Sequence, residues 1–468
     1  CAIAYWGVAM ANYHPLWAPP THPELQKGFR AVEVARSIQN KSARESAYIE
    51  AIGAFYQDFE TLDHKTRALK FESAMEKIHT DFPDDREAAI LYALSLDGAA
   101  DPADTSFARQ KKAGSILKAL NPDNPDHPGL IHYIIHSYDY PSLAKEALPA
   151  ARKYATLAPS SAHAQHMPSH IFTRLGLWDD CIQSNLVSTD AAKCYAESTG
   201  MNTHWDEEIH VLDYLMYAYL QKGDNVKAKE LLDYLNSIEK VTPVNFKVAY
   251  AYAAMPARYV LENKMWNEAA NLSTEDRFFS WNDYPWQKAI IHFARLLGNV
   301  HMNKIPEAKN ELIVLSALRD TLVTQKDIYK ANQVHIQMKA GEAWILWKEK
   351  GQIKPPSQLM NDATSMEALT QKHPVTPGEV LPTLELLGDM FMEMDIPDDA
   401  LSFYEDNLKL RPNRFNSLYG AALAAEKSGK KETAISYYEQ LLSITDPMTS
   451  TRPEIEKAKA FLGQNTTL

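Results

Sequence analysis

Cysteine is scarce in this chain. Three residues in 468, Cys1, Cys181 and Cys194, cannot build a disulfide framework. They are expected to be small buried helix residues, and they leave the redox compartment open. No run of about 18 apolar residues occurs, which excludes a helix that spans a membrane. Positive charge is in deficit, with 48 Lys and Arg against 60 Asp and Glu and a formal net charge of −12. That balance excludes a phosphate-binding face, and with it nucleic acid and acidic lipid as partners. Strand signals are nearly absent, because Val and Ile do not alternate with polar residues and no Asn-Gly hairpin occurs. The sequence also lacks a Gly-rich phosphate loop, a GxSxG elbow, an HExxH motif and a cysteine in a nucleophile setting.

What is present is a folded chain, 45% hydrophobic and 23% charged. Its length exceeds what one ordinary core needs, so it holds several domains or one growing array. It opens at Cys1 inside an apparent helix, CAIAYWGVAMA, and reads as processed or incompletely seen. Apolar residues recur at spacings of three and four. The pattern predicts helices of about 12–16 residues, punctuated by Gly, Pro, Asn or Asp.

The helices repeat. Between residues 386–412 and 419–447, Gly388 matches Ala422, Ala400 matches Ala434 and Tyr404 matches Tyr438, each offset by 34. Small residues let paired helices approach, and an aromatic fills the gap between them. These positions resemble the signature of the tetratricopeptide repeat. Older copies lie upstream, where Met167, Pro168 and Trp178 recur as Met255, Pro256 and Trp266. The blocks HYIIHSYDYP, HMPSHIFTRLGLW, KHPVTPGEVLP and RFNSLYG resemble those of a bacterial branch of large tetratricopeptide proteins. The resemblance implies an all-α, right-handed superhelical solenoid of helix pairs whose first helices line a concave groove. Degenerate helical repeats are expected over 1–110, a central array over 111–372 and a C-terminal pair of repeats over 373–468. The segment 97–108 is expected to loop out, and the Pro-rich 373–382 to mark a seam.

Histidine is concentrated. Eight of 16 fall within residues 127–210, where an even spread would place about three. In the 34-residue register His132 falls on the position of His166, and His136 on that of His170. One stripe across three neighbouring first helices then reads Gly129-His132-His136, His163-His166-His170 and His210-Asp213-Tyr217. Packed helices lie roughly 8–10 Å apart, so imidazoles on facing turns converge. His132, His136, His166 and His170 are the candidate ligands of one ion, with His163, His210 and Asp213 near. Neutral imidazole with a carboxylate suits Zn, Cu or Fe. Asp139, Asp206, Glu207 and Glu208 stand close in sequence as second acceptors. Tyr217, Arg258, His292, His373 and Arg414 are candidate groove residues; His373, Arg414 and Tyr419 are nominated by the resemblance. Arg258 aligns with His170, so the repeat itself does not demand histidine there.

Three readings stay open. The chain is a binding module for a protein or peptide partner with a histidine-rich groove, a metal-dependent enzyme, or a scaffold in an assembly. A periplasmic or lipoprotein-type surface location is favoured over the cytoplasm.

Overall fold

A computed structural model of the chain describes residues 1–446 and 450–465. Pro447, expected to end the last repeat, lies outside the described residues. The chain separates into two compact units, Cys1–Ala158 with His373–Val375, and Pro159–Lys372 with Thr376–Leu468. Both are built from helix pairs in which each helix packs on its neighbours in the chain. Each is an all-α array of paired helices. Helix lengths run from 5 residues (Ala162–His166) to 23 (Ile328–Lys350), a wider spread than the periodicity implied.

The first unit starts with Ala2–Ala11 and ends with Ala144–Leu157. Its helix starts are set locally. Ser42 accepts the Glu45 amide while the Glu45 side chain returns to the Ser42 amide, and Asp63 accepts from the Thr66 amide. Its pairs interlock by setting an aromatic against a glycine. A Cβ on Gly28 would fall 2.1 Å from the Tyr56 ring, and one on Gly114 equally close to Tyr138. The segment 99–107 has no helix, as expected for the insertion.

The second unit runs from Ala162–His166 to Pro453–Asn465, with one continuous apolar core. The aligned tryptophans have equivalent places, whereas Pro168 starts the helix Pro168–Leu175 and Pro256 lies inside Phe246–Glu262. Trp178 opens the helix Trp178–Ser198, and Trp266 opens Trp266–Ala270. Tyr404 and Tyr438, 34 residues apart, are both buried plugs, beside the buried Ala400 and Ala434. A two-residue parallel bridge, His204–Trp205 with Val241–Thr242, is a small exception to the strand-free expectation.

The C-terminal repeats of this unit close back onto its first helices. Trp178 Nε1 donates to the Asn413 carbonyl at 2.7 Å, and Asn413 Nδ2 donates to the Gly176 carbonyl at 3.1 Å. Gly176 is required there. Its φ is +64°, and a Cβ would lie 2.2 Å from the Pro412 carbonyl oxygen.

The cysteines depart from expectation. Cys181 is buried, and burial pushes its thiol up to about 12. Cys1 and Cys194 are exposed, because Cys1 precedes the first helix and Cys194 falls on an outward face of Trp178–Ser198. Among the described residues no helix is long and apolar enough to cross a membrane.

Candidate metal centre

Pro168 divides the first histidine-bearing helix into Ala162–His166 and Pro168–Leu175. Met167 between them keeps right-handed helical angles, so His166 and His170, four residues apart, stay on one stripe. The neighbouring helix Asp206–Gln221 brings His210 against them. One ring nitrogen from each of the three lies within 4.8 Å of the others, and all three side chains are buried. The Nε2 atoms of His166 and His170 are 3.2 Å apart. The His166 and His210 rings meet edge to face with centroids at 4.5 Å.

The orientation of His166 is fixed from behind. Asn185, on Trp178–Ser198, donates through Nδ2 to the Cys181 carbonyl at 2.7 Å. Its Oδ1 is thereby turned to the ring and accepts from His166 Nδ1 at 2.7 Å. Ser169 Oγ lies 3.2 Å from the same nitrogen. With the proton on Nδ1, the Nε2 lone pair faces His170. Tyr214 Oη stands 3.3 Å from His170 Nδ1, and the Tyr214 ring packs against all three imidazoles. Burial holds His166 and His210 well below the usual imidazole range, and the neighbouring rings and Lys247 add to the effect. His166 and His210 are therefore neutral, with nitrogen lone pairs available.

Asp213 stands one turn beyond His210 but is engaged elsewhere. It pairs with Arg258, from the helix Phe246–Glu262, and both side chains are fully buried. Burial raises the Asp213 carboxyl while Arg258 opposes the rise. Arg258 also donates to the Gly378 carbonyl at 2.6 Å and lies over the Tyr217 ring. Arg414 reaches Tyr217 Oη at 3.2 Å, Glu262 at 2.6 Å and Glu385 at 2.7 Å. Three candidate groove residues, Tyr217, Arg258 and Arg414, thus form one buried ionic network that ties the C-terminal repeats to Phe246–Glu262.

Several of the other candidates are engaged with partners of their own. In the first unit His132 and His136 stack on the helix Pro128–Ser137 with Nε2 atoms 2.9 Å apart. Tyr154 Oη stands 3.2 Å from His132 Nδ1. His127 caps that helix by accepting the Leu130 amide. In the second unit His163 is half-buried, and burial lowers its pKa. His292 pairs with Glu311 at 2.6 Å. His373 Nδ1 accepts the Val375 amide at 3.2 Å within the Pro-rich segment. Tyr419 packs at the edge of the second unit's core. Asp206 and Glu207 hold Lys247, Glu208 binds His204 and Tyr234, and Asp139 is buried in the first unit.

Asn185 and Tyr214 escaped the sequence reading. Asn185 sits on a second helix, where the register of first helices assigns nothing. Tyr214 follows His210 by four residues, and that spacing was the available signal.

No protein-family model matches the chain, and no curated protein does. Several solved structures resemble it distantly. Human IFIT1, solved as a dimer with m7Gppp-AAAA, is 11% identical with a TM-score of 0.38, covering 95% of this chain and 94% of that one. Yeast Tom70 is 12% identical with a TM-score of 0.31, covering 99% and 96%. The P58(IPK) TPR domain is 16% identical with a TM-score of 0.24, covering 82% and 99%. Likenesses this distant bear on no function.

Proposed function

We propose that this helical-repeat protein binds a transition-metal ion on His166, His170 and His210. The observation that carries the reading is the convergence of three buried imidazoles whose nitrogens lie within 4.8 Å of one another. Two ligands at a Zn–N distance of 2.0–2.1 Å in tetrahedral geometry stand about 3.3 Å apart. The His166 and His170 nitrogens, at 3.2 Å, already approach that spacing. The Asn185 acceptor behind His166 supplies the support that metal-bound histidines need. An all-imidazole set suits Zn, Cu, Ni or Fe and disfavours Mg or Ca. Three protein ligands leave a tetrahedral ion one position for a ligand from outside the chain. Binding a partner through the ion and catalysis by it would both start from that position.

The test is elemental analysis of the purified chain, wild type against His166→Ala with His170→Ala. Near-stoichiometric metal in the wild type, lost in the variant, supports the reading. A metal-free wild type that also fails to take up added Zn, Cu or Fe defeats it.

A further inference from the structure

Imidazole ligates a metal as a neutral donor, so a dication placed among His166, His170 and His210 brings two positive charges into a buried site. A buried charge is costly unless it is compensated. On the helices that carry the three imidazoles no carboxylate is spare. The helices Ala162–His166 and Pro168–Leu175, which hold His166 and His170, contain no Asp or Glu. On the helix that carries His210 there are four acids, and each is already engaged. Asp206 lies 2.9 Å from Lys247, and Glu207 also pairs with Lys247. Glu208 accepts from His204 at 2.9 Å and from Tyr234 at 2.5 Å. Asp213, the acid closest in register to the cluster, is held by Arg258, whose other arm is fixed to the Gly378 carbonyl.

We propose that the remaining position on the ion takes a small monoanion, of the carboxylate or pseudohalide class, supplied from solution. This rests on the metal reading above. The protein supplies nitrogen and orientation, and the incoming ligand supplies the negative charge. Asp213 is withheld by Arg258, so it does not fill the position and block it. The Tyr214 phenol also stands near enough to bring a charge, 3.3 Å from His170 Nδ1.

Cobalt(II) replaces zinc with a visible d–d spectrum that responds to its ligands, which separates the two claims. The full chain is titrated with Co(II), and the loaded protein is then titrated with azide and with formate. A cobalt band that appears in the wild type and is lost in His170→Ala establishes the ion. A saturable shift of that band on adding azide or formate, retained in Tyr214→Phe, supports the open anion position. If the band forms but neither anion moves it, the ion keeps its place and the anion proposal falls. If anion sensitivity arises only in Tyr214→Phe, the phenolate is the charge-supplying ligand and the proposal is likewise overturned. If no band forms, the metal reading itself fails and takes this inference with it.

Discussion

Nε2 of His166 and Nε2 of His170 face each other at 3.2 Å, deep in the second unit. Both rings are buried. A lone pair turned toward a second imidazole in a dry site is satisfied either by a shared proton or by a cation. A bound ion stabilises the folded state by mass action. At a hundred times its dissociation constant the gain is about 2.7 kcal/mol. Added Zn or Co is therefore expected to raise the melting temperature of the wild type and to leave His170→Ala unmoved. Equal behaviour of the two proteins in scanning calorimetry would remove the site.

Asn185→Ala tests the support behind the ring. The variant keeps all three imidazoles but deprives His166 Nδ1 of its acceptor at 2.7 Å. Loss of such a partner weakens metal affinity about 10–100-fold. Competition with a chromophoric chelator should show that drop, with helix content unchanged by circular dichroism. An unchanged affinity would mean that Asn185 does nothing for the ion.

Much of this fold was legible in the sequence, because helix pairs bury the same repeat positions over and over. The 34-residue offset placed Tyr404 and Tyr438 at equivalent positions, and both are fully buried. The i, i+4 spacing of His166 and His170 put two rings on one stripe, and Pro168 between them does not break it. Less was legible where side chains choose among partners far apart in the chain. Asp213 and Arg258 are 45 residues apart, and nothing in the local pattern says that one would capture the other. Arg414 meets Glu262 across 152 residues, because the C-terminal repeats fold back within their unit, and helical periodicity carries no record of that return.

Arg258→Met should be among the most damaging single changes in the second unit. It leaves the Asp213 carboxylate buried and unpaired, at a cost of about 3–5 kcal/mol. Adding Asp213→Leu should restore much of the loss, because the pair is then replaced by apolar bulk. Urea unfolding of the two variants decides it. A double variant no more stable than Arg258→Met would show that the damage comes from the lost Gly378 contact instead.

Tyr404 plugs the space between two glycines. A Cβ on Gly388 would fall 2.7 Å from its ring, and one on Gly420 would fall 2.4 Å away. Its hydroxyl donates to Asp389 at 2.7 Å. Tyr404→Ala is expected to cost about 3–5 kcal/mol through the cavity left behind. Gly420→Ala should cost about 1–3 kcal/mol by overpacking the same gap. Because both act on one contact, Gly420→Ala should be far milder in the Tyr404→Ala background. Additive losses would show that the two positions do not share the gap.

Two buried carboxylates share one guanidinium in the second unit. Glu367 accepts from Arg411 Nη2 at 2.9 Å and from the Thr383 amide at 3.1 Å, and Glu379 accepts from the same Nη2 at 2.9 Å. Burial pushes Glu367 up to about 7. Burial also acts to raise Glu379, but Arg411 outweighs it and holds the carboxyl at about 2. In the unfolded chain both titrate near the ordinary value of 4.5. Between pH 4.5 and pH 7 the folded pair therefore keeps a proton that the unfolded chain has released, and its stabilising contribution falls as pH rises through that window. Below pH 4.5 the sign reverses, since the unfolded chain takes up the proton that Glu379 refuses until about pH 2. Glu367→Gln abolishes the upper limb and leaves the lower one. The measurement is the difference in unfolding free energy between wild type and Glu367→Gln across this range. It should shrink in favour of the variant as pH rises toward 7. Parallel curves would mean that Glu367 titrates alike in both states and that Arg411 is shared by two charged carboxylates throughout.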